Sequence, residues 1–424
     1  MFTVLNRSPG KRVLLAMLLA GLCPFSHALT FDEAIRIAQA QAPQLRASEL
    51  NVAASRSLQI AAGELPDPKI ALGIENLPIE GDDRFNLTSD SMTMRRIGLM
   101  QEFPNQAKRE ARIAAARGQL ASAEVQADIA RLTVQRETAI AWIARASLER
   151  QLAHIDALSE ENRLFDAAMR AQYAGGKAMA TEIVAPRQEA AMIEERKDEL
   201  HARRSQAIAA LRRWIGTAAD APLQGSAPDW AITRETLEHR LPHHPELLAF
   251  DSRARVLNAE IAEAQAEKKP DWALELAYQM RGKQYGDMAS VQVSFDLPLF
   301  TATRQDPKIA AKGAERASLD AEREMTLREH AAMLETDWAE HQRLANAVKR
   351  QHELLLPLAN EKVELAMAAW RGGKGSLTDL IAARRERIDA ELKAIALEGE
   401  RQQVAARLYY AYGNSAPQLA GEQE

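Results

Sequence analysis

A long proline-free stretch, residues 109–173, decides the fold; it reads REARIAAARGQLASAEVQADIARLTVQRETAIAWIARASLERQLAHIDALSEENRLFDAAMRAQY. Its residues are mostly Ala, Glu, Arg, Leu and Gln, which favour the α-helix, and Gly118 is its only glycine. As one helix it would extend for roughly 100 Å, at about 1.5 Å per residue. Helices of compact domains average only about 11–12 residues. We therefore expect coiled-coil or helical-array packing rather than one compact core.

The turn that ends this helix recurs later in the chain, which indicates an internal repeat. The first turn, Gly175–Lys177, is followed by a second helix, and Gly372–Lys374 repeats both the turn and the helix after it. The residues after each turn also match: Thr181, Glu182, Arg187 and Glu189 in the first half, and Thr378, Asp379, Arg384 and Glu386 in the second. The two halves should therefore fold alike.

Each half has the same predicted order of elements: a helix, two strands joined by a polar turn, the long helix, the turn and a return helix. The predicted regions are a signal peptide at 1–28, a first repeat at 29–216, a linker at 217–241, a second repeat at 242–414 and a tail at 415–424. The predicted strands are 68–77, 94–103, 270–279 and 290–298. The predicted helices are 107–173 and 178–215 in the first repeat, and 306–370 and 376–412 in the second.

The four strand segments alternate between apolar and polar side chains, as half-exposed strands do. In the clearest one, Trp272, Leu274, Leu276 and Tyr278 alternate with Ala, Glu and Gln residues. Such strands suit either a lipid-facing barrel with a polar interior or a soluble antiparallel sheet, and alternation alone does not choose between them. A targeting segment, described next, and the aromatic residues favour the barrel. Because small barrels need about eight strands, four would have to be shared between two or three chains.

The N-terminus has the features of a bacterial signal peptide. Basic residues between positions 7 and 12 precede an apolar run, 13–22, that is too short to span a bilayer. Small residues near Ala28 predict cleavage after it. The only cysteine, Cys23, lies in this segment, and because Leu22 precedes it where a lipid-attachment signal needs a small residue, we predict no lipidation.

The composition argues against several functional classes. The formal net charge of −5 is mildly acidic, which argues against a nucleic-acid partner. After the signal peptide no stretch is apolar enough for a transmembrane helix. The sequence has no nucleophile elbow, no phosphate-binding glycine loop and no metal-ligand helix motif. We therefore predict that the protein is not an enzyme and has no cofactor.

With twin halves, two strand pairs and two long helices that end in Gly-Gly-Lys turns, the chain resembles the TolC-type outer-membrane efflux family. The resemblance covers about residues 29–414. Besides the turns, its most specific parts are Leu65–Pro68 and Gln101–Pro104. The stretch Leu355–Ala359 before the second turn resembles the branch that exports heavy-metal cations, cobalt–zinc–cadmium or copper.

The resemblance implies a mainly α fold with a small β-barrel, assembled as a homotrimer. Three chains would share a twelve-stranded barrel in outer-membrane lipid and continue as an α-helical tunnel in the periplasm. The implied function is a passive exit duct that docks on a periplasmic membrane-fusion adaptor. The adaptor links it to an inner-membrane pump of the resistance–nodulation–division class. The sequence names neither the cation nor the pump nor the adaptor.

Three features are the candidate functional residues. The resemblance makes the turns, with Gly175, Gly176, Lys177, Gly372, Gly373 and Lys374, the tips that dock on the adaptor; any helical hairpin, however, needs such a turn. In a trimer, Glu182 and Asp379 would form rings of carboxylates that attract cations, or they are ordinary first-turn carboxylates that complement the helix dipole. Pro357 should kink the second long helix.

The histidines predict no metal site, because they are spread along the chain without ligand spacing. Two other functions remain open. The same fold could export organic drugs or secreted polypeptides, because only the segment around Pro357 points to metals. A different class is a soluble periplasmic coiled-coil adaptor, although adaptors have one hairpin rather than two strand pairs.

Overall fold

In a computed structural model of the chain, residues 28–176 and 179–413 are described. The helices are α1 (Phe31–Gln41), α2 (Pro43–Ala61), α3 (Gln106–Ala174), α4 (Val184–Ile215), α5 (Arg234–Arg240), α6 (Pro245–Ala266), α7 (Thr301–Arg350), α8 (Leu356–Arg371) and α9 (Leu377–Leu408). The strands are β1 (Lys69–Glu75), β2 (Met94–Phe103), β3 (Trp272–Met280) and β4 (Met288–Phe295). The predicted fold, mainly helical with a small antiparallel sheet, is confirmed. The predicted signal peptide before Ala28 and the tail at 415–424 lie outside the described residues.

The chain divides into two compact units. The first consists of Met1–Gln41, Glu137–Asp229 and Leu344–Gln403, and the second of Ala42–Arg136, Trp230–Arg343 and Val404–Glu424. Each unit therefore takes segments from both sequence repeats. Within the described residues, none of the helices is both long enough and apolar enough to cross a bilayer.

The first unit packs parts of α3, α4 and α9 around an apolar core. The core side chains are Leu152, Ile155, Leu158, Ile193, Leu200, Ile388 and Leu392. The linker after α4 is held to α3 by Arg145, which has no exposed surface. Its guanidinium donates to the carbonyls of Ala219 at 2.5 Å and Ala221 at 2.8 Å, and to Glu149 at 2.8 Å. A buried arginine needs such partners, because an unpaired buried charge is costly.

The second unit contains the sheet, whose strands lie in the order β1-β2-β3-β4, each antiparallel to its neighbour. The pairing of β2 with β3 joins the strand pair of one repeat to that of the other. The two pairs therefore form one sheet rather than two separate hairpins.

The second long helix differs from its prediction as one helix over 306–370. It begins at Thr301, because the carbonyl of Phe300 accepts the amides of Thr303 and Arg304 and starts the helix before Pro307. It is then interrupted by a π-helical turn, Gln351–Leu355, between α7 and α8.

The first return helix also starts later than predicted, at Val184 instead of 178. The amide of Glu182 donates to the carbonyl of Met179 at 3.0 Å, and the amide of Val184 donates to that of Thr181. These short-range bonds form a turn that precedes the helix.

Candidate functional site

The four-stranded sheet has one apolar face that is open to its surroundings. Large side chains line up across the strands in register, as in the row Ile70, Leu99, Leu276 and Val291. A second row contains Leu72, Ile97 and Tyr278, and a third contains Phe103, Trp272 and Phe295. Leu72 is 75% exposed and Val291 is 70% exposed. An exposed apolar patch of this kind marks a surface that contacts apolar material.

The opposite face of the sheet is polar and is joined across strands by ion pairs. Arg96 on β2 contacts Glu75 on β1 at 2.8 Å and Glu275 on β3 at 2.6 Å. Gly98, on the same face, leaves room for this pairing, because a Cβ there would lie 2.6 Å from Oε1 of Glu275. The two faces of one sheet therefore have opposite chemistry, as the alternation in the sequence predicted.

The second Gly-Gly-Lys turn closes α8 with the hydrogen bonds of a Schellman motif. Gly373 has a φ of 67°, a left-handed conformation that favours glycine. Its amide donates to the carbonyl of Trp370 at 3.0 Å, and the amide of Lys374 donates to that of Ala369 at 2.9 Å. Gly372, one residue earlier, has an ordinary φ of −80°.

The first turn uses its second glycine in the same way. Gly176 has a φ of 69°, and its amide donates to the carbonyl of Tyr173 at 2.9 Å. The amide of Gly175 instead continues the helical bonding, to the carbonyl of Ala171 at 3.1 Å. Lys177 lies outside the described residues. A positive φ is therefore found at the second glycine of each pair.

Both candidate acidic residues make local hydrogen bonds at the start of a return helix. Glu182 accepts the amide of Met179 at 2.7 Å. Asp379 accepts the hydroxyl of Ser376 at 2.7 Å, and its own amide donates to that hydroxyl oxygen at 3.1 Å. Asp379 is exposed and Glu182 is partly exposed. Both carboxylates therefore stabilise the turn that leads into a return helix, and both remain accessible to an ion in solution.

Behind the second turn, α3, α4, α8 and α9 meet in a small apolar cluster. Met169, Leu377 and Leu380 are buried in it, and Phe165 and Trp370 pack against them. Leu377 and Leu380 stand on either side of Asp379 in sequence. The first turn of α9 is therefore anchored by its apolar neighbours, which fixes the position of the Asp379 backbone.

A buried arginine lies next to this cluster. Arg384 on α9 is 4% exposed, and its guanidinium lies 4.7 Å from the ring centre of Phe165. It contacts Glu161 on α3 at 3.1 Å and Glu189 on α4 at 3.4 Å. Arg387, one turn further on, also contacts Glu161, at 2.7 Å. The group connects three helices of the first unit.

Glu189 is the least satisfied member of this group. It is 6% exposed, and among the described residues its Oε2 has no hydrogen-bond partner. Burial raises the pKa of Glu189 above its ordinary value of 4.5, although the positive charge of Arg384 acts against the shift. The sequence does not reveal this pair, because its two members stand at different positions of the repeat and come from opposite halves of the chain. The match between Arg187 and Arg384 in the two repeats was the sequence feature that could have drawn attention to this pair.

Pro357 is the second residue of α8, the helix that follows the π-helical turn Gln351–Leu355. A proline lacks an amide proton, and its ring clashes with the carbonyl four residues earlier, here that of Glu353. In the π-helical turn the amide of Leu356 donates to the carbonyl of Gln351, five residues earlier, which widens the helix at this point. Gln351 is 2% exposed, and its side chain donates to the carbonyl of Ala390 on α9 at 2.9 Å.

A second polar cluster lies in the second unit, among residues that the sequence did not connect. His244 and Glu246 start α6, and Nε2 of His330, on α7, is 3.0 Å from Oε2 of Glu246. The ring centres of His244 and His330 are 4.1 Å apart. Tyr412 lies beside His330, with its hydroxyl 3.3 Å from Nδ1. Burial, followed by the charge of His330, lowers the pKa of His244 to about 4.

Comparison with known proteins reveals similarity only in structure. No protein-family model matches the chain, and no curated protein matches it in sequence. A membrane protein from Pseudomonas aeruginosa superimposes with a TM-score of 0.78 at 20% identity, over 90% of each chain. The outer membrane protein VceC from Vibrio cholerae gives 0.75 at 18% identity, over 90% of this chain and 96% of the other. The open state of the MtrE outer membrane channel from Neisseria gonorrhoeae gives 0.72 at 18% identity, over 90% and 88%. The chain therefore has the fold of outer membrane channels.

Proposed function

We propose that the chain is the outer-membrane channel of a tripartite efflux system. The observation that carries the proposal is the four-stranded sheet, with an exposed apolar face and an ion-paired polar face, on a fold found in outer membrane channels. In a homotrimer, three such sheets would form a twelve-stranded barrel. Its apolar face would contact outer-membrane lipid, and its polar face would line a water-filled passage.

In this proposal the helices form the periplasmic part of the passage, and no catalysis takes place in it. The tips at Gly176 and Gly373 dock on a periplasmic membrane-fusion adaptor. The energy comes from an inner-membrane pump of the resistance–nodulation–division class. Solubility would test the alternative of an adaptor: high salt should leave this chain in the membrane pellet, and detergent should extract it. Release by salt alone would favour the adaptor.

For the substrate we propose heavy-metal cations. Two observations support this choice: the resemblance of Leu355–Ala359 to the cation branch, and the accessible carboxylates of Glu182 and Asp379. In a trimer these two residues would form two rings of three carboxylates, which concentrate cations at a narrow passage. The alternative, export of organic drugs or secreted polypeptides, uses the same fold.

A deletion strain tests the substrate class. Its growth is measured against Co²⁺, Zn²⁺, Cd²⁺, Ni²⁺, copper and silver, and against dyes and detergents, with the intact gene supplied in trans as the control. We expect sensitivity to a subset of the metals that the intact gene reverses. Sensitivity to the organic compounds alone would contradict the metal proposal and leave the channel proposal in place.

A further inference from the structure

The second unit contains a set of metal-ligating side chains that the proposed channel does not use. His244 caps the N-terminus of α6, Glu246 lies in its first turn, and His330 lies on α7. One ligand atom from each lies within 4.8 Å of the other two. We propose that His244, Glu246 and His330 bind a divalent transition-metal cation of borderline softness, such as Zn²⁺. This inference does not rest on the proposed transport function.

The donor set matches the chemistry of the proposed ion. Two imidazoles and one carboxylate, with a fourth position for water, form a common three-ligand set for Zn²⁺. In a tetrahedral site with Zn–N and Zn–O distances of about 2.0–2.2 Å, the ligand atoms lie about 3.4 Å apart. The three ligand atoms here lie within 4.8 Å of one another. Side-chain rotations that draw these atoms closer together would place all three around one ion.

Tyr412 lies against the ring of His330 on the side away from Glu246. The Tyr412 hydroxyl donates to the backbone carbonyl of His330 at 3.2 Å. Its oxygen is also 3.3 Å from Nδ1 of the same ring, a contact to which a proton on Nδ1 can be donated. On the other side of the ring, Nε2 of His330 faces Oε2 of Glu246 at 3.0 Å. A cation shared by these two atoms would hold them together.

A proton or a metal ion can be that cation, and the second imidazole favours the metal. A proton on Nε2 of His330 would complete an ion pair with Glu246 alone. His244 adds another ring at a centre-to-centre distance of 4.1 Å. Two imidazoles this close repel each other if both are protonated, whereas both can donate a lone pair to one metal ion. His244 also accepts the amide of Glu246 on Nδ1 at a long 3.3 Å, a weak bond that is easily exchanged.

The site is accessible, and it has room for a water ligand. The side chain of Glu246 is 49% exposed, whereas that of His330 is 8% exposed. A small cavity of about 20 Å³ is lined by His244, Glu246 and Arg136, which is enough for one water molecule. The positive charge of Arg136 acts on both His244 and Glu246 and opposes a second cation. We therefore expect binding that is specific but weaker than in a site without an arginine.

The ion would connect segments that are distant in sequence. It would join the start of α6 to α7 and, through Tyr412, to the π-helical turn Tyr409–Gly413. An ion that binds only the folded unit stabilises it by mass action. The proposed site is thus a cross-link within the second unit.

Metal binding by the full-length chain, purified in detergent without a histidine tag and stripped with a chelator, tests the proposal. Equilibrium dialysis against Zn²⁺ is compared for the wild type, His244→Gln, His330→Gln and Tyr412→Phe. His243→Gln is the matched control, because His243 is the exposed neighbour of His244 and its ring lies 6.3 Å from that of His239. We expect about one bound Zn²⁺ per chain in the wild type and in His243→Gln. Each ligand variant should bind at least about tenfold more weakly, and Tyr412→Phe should lose about tenfold through the second-shell contact.

Equal binding by the wild type and by a His244→Gln/His330→Gln double variant would overturn the proposal. So would loss of the ion in His243→Gln, which would place it at the exposed pair with His239. If the ligand variants fail to fold, X-ray absorption on the Zn²⁺-loaded wild type still decides the question. Two imidazole ligands and no sulfur support the site, and fewer than two imidazoles overturn it.

Discussion

Equivalent residues of the two sequence repeats have opposite environments. Arg187 and Arg384 occupy matching places in the two return helices, but Arg187 is exposed and Arg384 is 4% exposed. Two residues further on, Glu189 is 6% exposed, whereas the side chain of Glu386 is 57% exposed and contacts Lys362 at 2.6 Å. Each repeat therefore contributes one buried member, an acid from the first and a base from the second, and the two pair in the first unit.

The two long helices differ in a related way. Helix α3 runs without interruption from Gln106 to Ala174, whereas the second repeat needs α7, a π-helical turn and α8 to cover the equivalent span. The position that matches Pro357 is Glu160, which is exposed and pairs with Arg163 at 2.6 Å. The two repeats thus share the order of their elements but differ in how equivalent residues pack.

Removal of the buried arginine should have the largest effect. Arg384→Met leaves Glu189 buried without a cation, and breaking a buried ion pair in this way costs about 3–5 kcal/mol. The equivalent change in the other repeat, Arg187→Met, is the matched control and should change stability by less than about 0.5 kcal/mol, because the side chain is exposed. Thermal and denaturant unfolding, followed by circular dichroism in detergent, measures both. Equal losses in the two variants would contradict the difference in environment.

A proline in the first long helix should have the next largest effect. Glu160→Pro removes a helical hydrogen bond and places the ring against the carbonyl of Asp156, at a cost of about 3 kcal/mol. Glu160→Ala separates this effect from loss of the contact with Arg163 and should cost much less, because both side chains of that pair are exposed. Pro357→Ala completes the comparison and should cause no such loss. If Glu160→Pro is as stable as Glu160→Ala, then α3 tolerates an interruption as readily as the second helix does.

Sequence alone predicted the features that depend on local periodicity. The alternation of Trp272, Leu274 and Tyr278 predicted the strand and its two faces, and the proline-free composition predicted α3. The glycine pairs predicted the two turns, although not which glycine would adopt a positive φ. The twin strand pairs did not reveal that β2 and β3 are neighbours, because strand order depends on contacts between repeats.

The polar clusters could not be predicted in the same way. His244 and His330 approach each other because α6 and α7 pack together, and no spacing in the sequence encodes that contact. Arg384 appears in the sequence as one of many helical arginines, and its burial depends on α3 and α4. The starts of α4 and α7 were misplaced because hydrogen bonds from Glu182 and to Phe300 decide them, rather than helix propensity.

Protonation of the buried Glu189 should make the stability of the protein depend on pH. Burial raises the pKa of Glu189, because it disfavours the charged carboxylate. The raised pKa therefore contributes fully to the free energy of unfolding below about pH 4.5, where the carboxyl is protonated. This contribution is lost as the pH rises through the pKa of the folded state. Glu189→Gln has no charge to bury, and Arg384 keeps its contact with Glu161, so that the variant should be more stable than the wild type at neutral pH. The difference should shrink as the pH falls towards 4.5. Unfolding midpoints between pH 4.5 and 8 would measure it, and a difference that grows on acidification would mean that attraction by Arg384 outweighs burial.

The smallest effect on stability should come from substitution of Asp379. This substitution separates the two roles considered for its carboxylate. Asp379→Asn keeps the size of the side chain and its bond to Ser376, so that the lost helix-dipole interaction should cost only about 0.3–1 kcal/mol. Ser376→Ala removes the capping hydroxyl, at a cost of about 1 kcal/mol, but leaves the carboxylate in place. If the carboxylate only stabilises the start of α9, metal resistance should decrease in proportion to the stability lost by each variant. It should then fall more in Ser376→Ala than in Asp379→Asn. If it attracts cations, as we propose, resistance should fall in Asp379→Asn and be retained in Ser376→Ala. Growth in the metal that the deletion strain does not tolerate, with equal protein levels in the outer membrane, therefore decides between a capping carboxylate and a cation ring.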